Sequence, residues 1–229
     1  MRLRFAAALA LGAVALVGAA PHAPRKSSKA VDWTKTVVTT LDGGFRMGNP
    51  KAKITVLEYG SLTCPHCRHF AETAMKPLLN QYVRIGKATY EYRSLVLNNI
   101  DIAATLVARC GGPSYFFPMA EELYSTQATW VGKIDDHAAE TLNALPPDQQ
   151  MLGVAKVTGL LPIAAKHGIS SAKAEACVSD QAAADQLEQA AQAAVAGGIQ
   201  GTPTFFVNGK RVAAGDWVTL EPFLKEAGG

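Results

Sequence analysis

The stretch "KITVLEYGSLTCPHCRHFAETAMKPLLNQYV", residues 53 to 83, constrains this chain more than any other. Its first part, 53–61, is a β-rich apolar run broken by one charge, Glu58, and reads as a buried strand. The period then changes. Phe70, Ala74, Leu78 and Tyr82 recur at steps of four, which is one face of a helix. Thr63 is the expected N-cap, and Pro65 falls in the first turn, where a missing N–H costs nothing. Pro77 predicts a kink. Cys64 and Cys67 therefore stand where a strand gives way to a helix.

The rest of the chain supplies a frame for that junction. "KTVVTTLDGGFRMG" offers a short strand, a Gly-Gly turn and an edge segment, and residues 87–97 alternate as a second core strand. From about Ile100 to Gly198 alanine replaces the β-branched runs. The breakers Gly111-Gly112-Pro113, Pro146-Pro147, Gly159, Pro162 and Gly168 divide this block into helical pieces. "GTPTFFVNGKRVAAGD" returns to strand, with a tight turn at Asn208-Gly209-Lys210 between Phe205–Val207 and Val212–Ala214, and a last helix follows from Trp217. Without the helical block the order is βαβ and then ββα. That is an α/β thioredoxin fold with an inserted all-helical subdomain: first part 36–99, insertion 100–198, second part 199–229.

Arg2 and Arg4 precede an apolar run from about Phe5 to Val17, and small residues follow. This predicts an export signal over 1–20 and a periplasmic location, with a flexible mature start over 21–35. The run is shorter than the roughly 20 residues of a membrane span, the alternative being an uncleaved anchor. A monomer is the default expectation for the oligomeric state. The net charge of +3 is scattered, with no basic stripe for nucleic acid. All four cysteines (Cys64, Cys67, Cys110, Cys177) fall in the exported part, where an even count suggests two disulfides with three possible pairings.

A C-x-x-C pair allows a haem anchor, a metal site, a structural staple or a redox centre. Haem attachment needs histidine directly after the second cysteine, and Arg68 stands there. Zinc needs four ligands; Cys110 and Cys177 lie far apart in the helical block, and His66 is poorly spaced to join both neighbouring cysteines, so no metal is expected. A structural bridge closing so small a ring removes little unfolded-state entropy. Redox chemistry fits best. The helix start favours thiolate at Cys64, protonated His66 adds to it, and Cys67 lies a turn further in, giving an exposed attacker and a shielded resolver.

Glu58 reads as a buried carboxylate with a raised pKa, placed to exchange a proton with Cys67; a surface-facing edge residue is the plainer alternative. Pro203 suggests a cis-proline loop, against a plain turn. If Cys110 and Cys177 pair, a loop of about 68 residues gives about 4 kcal/mol of entropic stabilisation, a staple across the helical block. A second redox pair or two free thiols stay open. His69, His137 and His167 read as ordinary surface or helix histidines.

With "ITVLEYGSLTCPHC" and "GTPTFFVNG" in place, the chain from about Thr36 onward resembles the DsbA family of exported thiol–disulfide oxidoreductases. The resemblance implies Cys64 as nucleophile, Cys67 as its partner and His66 as thiolate stabiliser. It also implies Glu58 as buried acid, and Pro203 as cis-proline with Thr202 touching substrate backbone. Cys110 and Cys177 look like the second, structural disulfide of a DsbA subgroup. The implied partners are reduced, unfolded exported proteins and a membrane quinone-linked reoxidase, and no cofactor is called for. An isomerase or reductase of the same fold, or a metallochaperone or substrate-holding module, are the rivals.

Overall fold

The computed structural model describes residues 31–229. The expected export signal, and most of the expected flexible start, lie outside them. Six strands form one sheet in the order β1-β2-β4-β3-β5-β6. They are β1 (Val37–Thr39), β2 (Phe45–Gly48), β3 (Ile54–Gly60), β4 (Ala88–Ser94), β5 (Thr204–Val207) and β6 (Lys210–Val212). β3 and β4 run parallel, joined through the helix that carries the C-x-x-C pair, and all other neighbours are antiparallel. The hairpin turn between β5 and β6 places Asn208 at φ 48° and Gly209 at φ 77°, the left-handed pair that an Asn-Gly turn supplies.

Along β3 the even positions Ile54, Val56, Glu58 and Gly60 are buried, while the odd ones are exposed or half-buried. Strand alternation thus carries the one charged residue to the same inner face as Ile54 and Val56. β4 was expected to alternate. Instead Ala88, Thr89, Tyr90 and Tyr92 are all buried, because the strand lies mid-sheet between β2 and β3.

The first helix, α1 (Pro65–Thr73), begins one residue later than its sequence signal: Cys64, not Thr63, is the N-cap. Thr63 is occupied upstream, where its N–H donates to Ser61 Oγ at 3.2 Å, and Pro65 opens the helix at its first position. The helix breaks at Ala74 before α2 (Met75–Leu78), after which the chain widens into a π-turn over Leu79–Val83. Pro77 has no N–H for the carbonyl of Thr73 and crowds it, which places the break upstream of the proline. Phe70, Ala74, Leu78 and Tyr82 are all buried, with Phe70 against Phe205 of β5 at 4.3 Å between ring centroids.

Between β4 and β5 come eight helices: α3 (Asn99–Arg109), α4 (Pro113–Ser125), α5 (Gln127–Val131), α6 (Asp136–Asn143), α7 (Pro147–Thr158), α8 (Leu160–Lys166), α9 (Ser171–Val178) and α10 (Gln181–Ala196). Pro162 does not separate two of them; it sits in the first turn of α8, where a missing donor is tolerated. Phe116 of α4 stacks on Phe45 of β2 at 4.2 Å, tying the helical block to the sheet. Cys110, the C-cap of α3, is bonded to Cys177 of α9 with S–S 2.02 Å. A last helix, α11 (Trp217–Glu226), opens with Asp216 and Thr219 capping each other.

Candidate active site

The loop from Ser61 to Thr63 delivers Cys64 to the helix start, where the first N–H groups of α1 have no partner within the helix. Cys64 and Cys67 are both free thiols, so the site is in its dithiol form. Cys64 is less open than its helix-start position suggested. It is only 6% exposed, against 0% for Cys67, because the loop before β5 covers it. Its Sγ lies 3.3 Å from the carbonyl oxygen of Thr202, and the Thr202–Pro203 peptide is cis.

The two sulfurs are driven apart in acidity. The Cys64 thiol is lowered to about 5, first because the Cys67 S–H donates to it, then through the Thr202 hydroxyl and the backbone N–H groups of Cys67 and His66; burial opposes these. Thr202 acts in two senses: its carbonyl accepts from the thiol form, and its hydroxyl donates to the thiolate. Position 66 contributes through its backbone N–H, while the side chain is exposed at the rim of a shallow cleft with His69, Pro203 and Asp216. Burial pushes the Cys67 thiol far up, with the Cys64 sulfur and Glu58 adding to it.

Glu58 is 1% exposed, and burial raises its carboxyl to about 8 against a hydrogen bond from the Tyr90 hydroxyl at 2.5 Å. Glu58 and Cys67 line one cavity of about 720 Å³ together with Phe70, Tyr90, Tyr92 and Phe116. On the Gly60 side Glu58 is closely packed: a Cβ on Gly60 would stand 2.5 Å from the Tyr92 ring and 2.8 Å from Glu58 Oε1. Only glycine fits there.

Three residues that sequence reasoning missed hold the loop from behind. Asp101, in the first turn of α3, accepts from the N–H of Leu62 at 2.9 Å and of Leu97 at 3.0 Å. Tyr124 of α4 accepts or donates at 2.9 Å with Tyr92 and donates to the Ser61 carbonyl at 3.1 Å. Gln127 of α5 donates to the carbonyls of Leu62 and Cys64 at 2.8 and 3.1 Å. A charge inside the apolar run "NIDIAATLVA" was the available signal for Asp101. Burial raises that carboxyl to about 6, against the hydrogen bonds from Ser61, Leu97 and Leu62. Cys110 and Cys177, bonded to each other, are not free to join the pair as metal ligands. The arrangement is a dithiol site at a helix start beside a cis-proline loop, on a sheet of thioredoxin order with a helical insertion.

The chain belongs to the thioredoxin family, whose model matches residues 40–226. Its likeness runs to the DsbA-type members. A putative protein-disulfide oxidoreductase of Rickettsia conorii is 27% identical over 191 residues, covering 82% of this chain and 62% of that protein. The thiol:disulfide interchange protein DsbA of Bordetella parapertussis is 27% identical over 158 residues, 69% of this chain and 65% of its own. Among solved structures, a protein-disulfide isomerase from Novosphingobium aromaticivorans is 28% identical with a TM-score of 0.76, covering 82% of this chain and 99% of that one. The chain spans about three-fifths of the length of the Rickettsia relatives it matches.

Proposed function

We propose that the chain is a dithiol oxidase of exported proteins, donating a Cys64–Cys67 disulfide to reduced, unfolded substrates in the periplasm. The observation that carries this is the split between the two sulfurs, with Cys64 lowered to about 5 and Cys67 pushed far the other way. A stabilised Cys64 thiolate favours the reduced form of the pair, and so makes the disulfide a strong oxidant.

In the oxidised form a substrate thiolate attacks Cys64 Sγ. The Cys64–Cys67 bond breaks, a substrate–Cys64 disulfide forms, and Cys67 leaves with the electron pair. Glu58, protonated at neutral pH, is the acid that supplies its proton through the shared cavity. A second substrate thiolate then attacks the substrate sulfur and expels Cys64 as a thiolate, leaving a substrate disulfide and the reduced pair. Thr202 and Pro203 hold the substrate backbone in extended form beside Cys64, which lets many sequences bind. Cys110–Cys177 serves as the structural bridge of the insertion. Two electrons pass onward to a membrane quinone-linked acceptor, and the protein works as a monomer without a cofactor. No helix among the described residues is long and apolar enough to cross a membrane.

The isomerase named for the Novosphingobium protein supports a second reading, disulfide reshuffling by the same thiolate. Equilibration with glutathione buffers separates the two. Thioredoxin and DsbA, with attacking thiols near about 7 and about 3.5, stand at about −270 and −120 mV. A thiol near 5 is expected to give a potential between them, with fast oxidation of a reduced substrate and slow rescue of a scrambled one. A potential at or below thioredoxin's, with rescue as fast as oxidation, would favour the isomerase.

A further inference from the structure

The turn that carries Cys64 borrows its hydrogen bonds from the helical insertion. Asp101, Tyr124 and Gln127 are 0%, 5% and 3% exposed, so each bond to residues 61–64 is made in the interior. Asp101 and Tyr124 hold the Leu62 N–H and the Ser61 carbonyl. Gln127 differs from both because it reaches the carbonyl of Cys64 itself, at 3.1 Å, while also bonding Leu62 at 2.8 Å. That Cys64 carbonyl already accepts the Arg68 N–H at 3.1 Å, the bond that closes the first turn of α1.

We propose that Gln127 is a positioning residue for Cys64, a role resting on the reading of that sulfur as the reacting one. Its amide fixes two successive bends of the loop through one side chain. The N–H groups of His66 and Cys67 are thereby held where they meet the sulfur. The amide also neutralises the negative ends of two carbonyls beside a sulfur that must carry negative charge. Unpaired carbonyls at this depth are costly in themselves, and their dipoles act against a thiolate. The other groups that bear on Cys64 from the interior, Cys67, Glu58 and Asp101, are acids. The Gln127 amide differs from them in staying a neutral donor at every pH, and it donates to the Leu62 and Cys64 carbonyls. The insertion thus takes part in setting the reactivity of the pair.

The test uses the reduced full-length chain and two near-isosteric changes. Gln127→Met keeps the volume and removes both donors; Gln127→Glu keeps the shape and introduces a carboxyl. The Cys64 ionisation is expected to rise by about one pH unit in Gln127→Met and further in Gln127→Glu. The equilibrium constant with glutathione should fall about tenfold for each unit. Lower thermal stability with an unmoved Cys64 titration and an unmoved glutathione equilibrium would overturn the proposal, leaving only a structural clamp. If the unmodified protein itself titrates like free cysteine, the failure lies with the reading of Cys64 as a stabilised thiolate. Should both variants fail to fold, the unmodified protein still decides. Its Gln127 side-chain amide resonances are expected to shift with pH through the Cys64 transition, and a flat profile there overturns the role.

Discussion

Serine at position 64 is expected to leave the fold intact and to reduce oxidation of a reduced, unfolded substrate to the uncatalysed rate. The exchange removes one sulfur from a site only 6% exposed, so the packing change is small. The chemical change is total, because an alkoxide is not reachable at neutral pH and no disulfide can form with Cys67. Cys67 cannot substitute. It is fully buried, and its ionisation is pushed far above the physiological range. Cys67→Ser gives the complementary result when it is supplied with a disulfide such as oxidised glutathione. The Cys64 thiolate attacks it, one sulfur leaves as a thiolate and a mixed disulfide forms. With no internal thiol to resolve it, this species accumulates and is seen by intact mass. Oxidation retained by Cys64→Ser would remove the proposed mechanism.

Glu58→Gln is expected to produce the largest change in stability. The folded state raises this carboxyl from 4.5 to about 8, so it binds the proton more tightly than the unfolded chain does. Its contribution to stability is therefore complete below about pH 4.5 and lost as pH rises through about 8. A shift of that size corresponds to about 5 kcal/mol across the window, an order-of-magnitude figure. Glutamine stays neutral and keeps an acceptor for the Tyr90 hydroxyl 2.5 Å away. Urea denaturation of both proteins at pH 5 and pH 9 reads the effect. The variant should be close to the parent at the lower pH and several kcal/mol more stable at the higher. Parallel pH profiles would mean that Glu58 does not titrate as a buried acid. In the same variant the release of Cys67 should slow, since its proton donor is gone.

How much of this was legible in the sequence follows from the distance over which each interaction acts. The strand, the Cys64 turn and α1 are local: period, cap and proline chemistry all lie within residues 53 to 83, and the error there is one residue at the cap. Glu58 was legible because a charge in a β-run must fall on one face or the other, and its even position shares the face of Ile54 and Val56. The helical block was visible from its breakers, although Pro162, being at a helix start, marked no boundary. The loop supports were not legible. Asp101, Tyr124 and Gln127 bond residues 39, 63 and 65 positions away, and no local period records such a partner. At position 66 the sequence argument turned on the imidazole, whereas the backbone N–H, which every residue there would offer, carries no signal in the residue type and also reaches the sulfur.

Titration of the reduced protein, followed by the ultraviolet absorbance of the Cys64 thiolate, tests the split between the sulfurs most directly. A single transition near pH 5 is expected, with no second cysteine ionising in the accessible range. A transition near about 8.5, the value of an unperturbed cysteine, would contradict it.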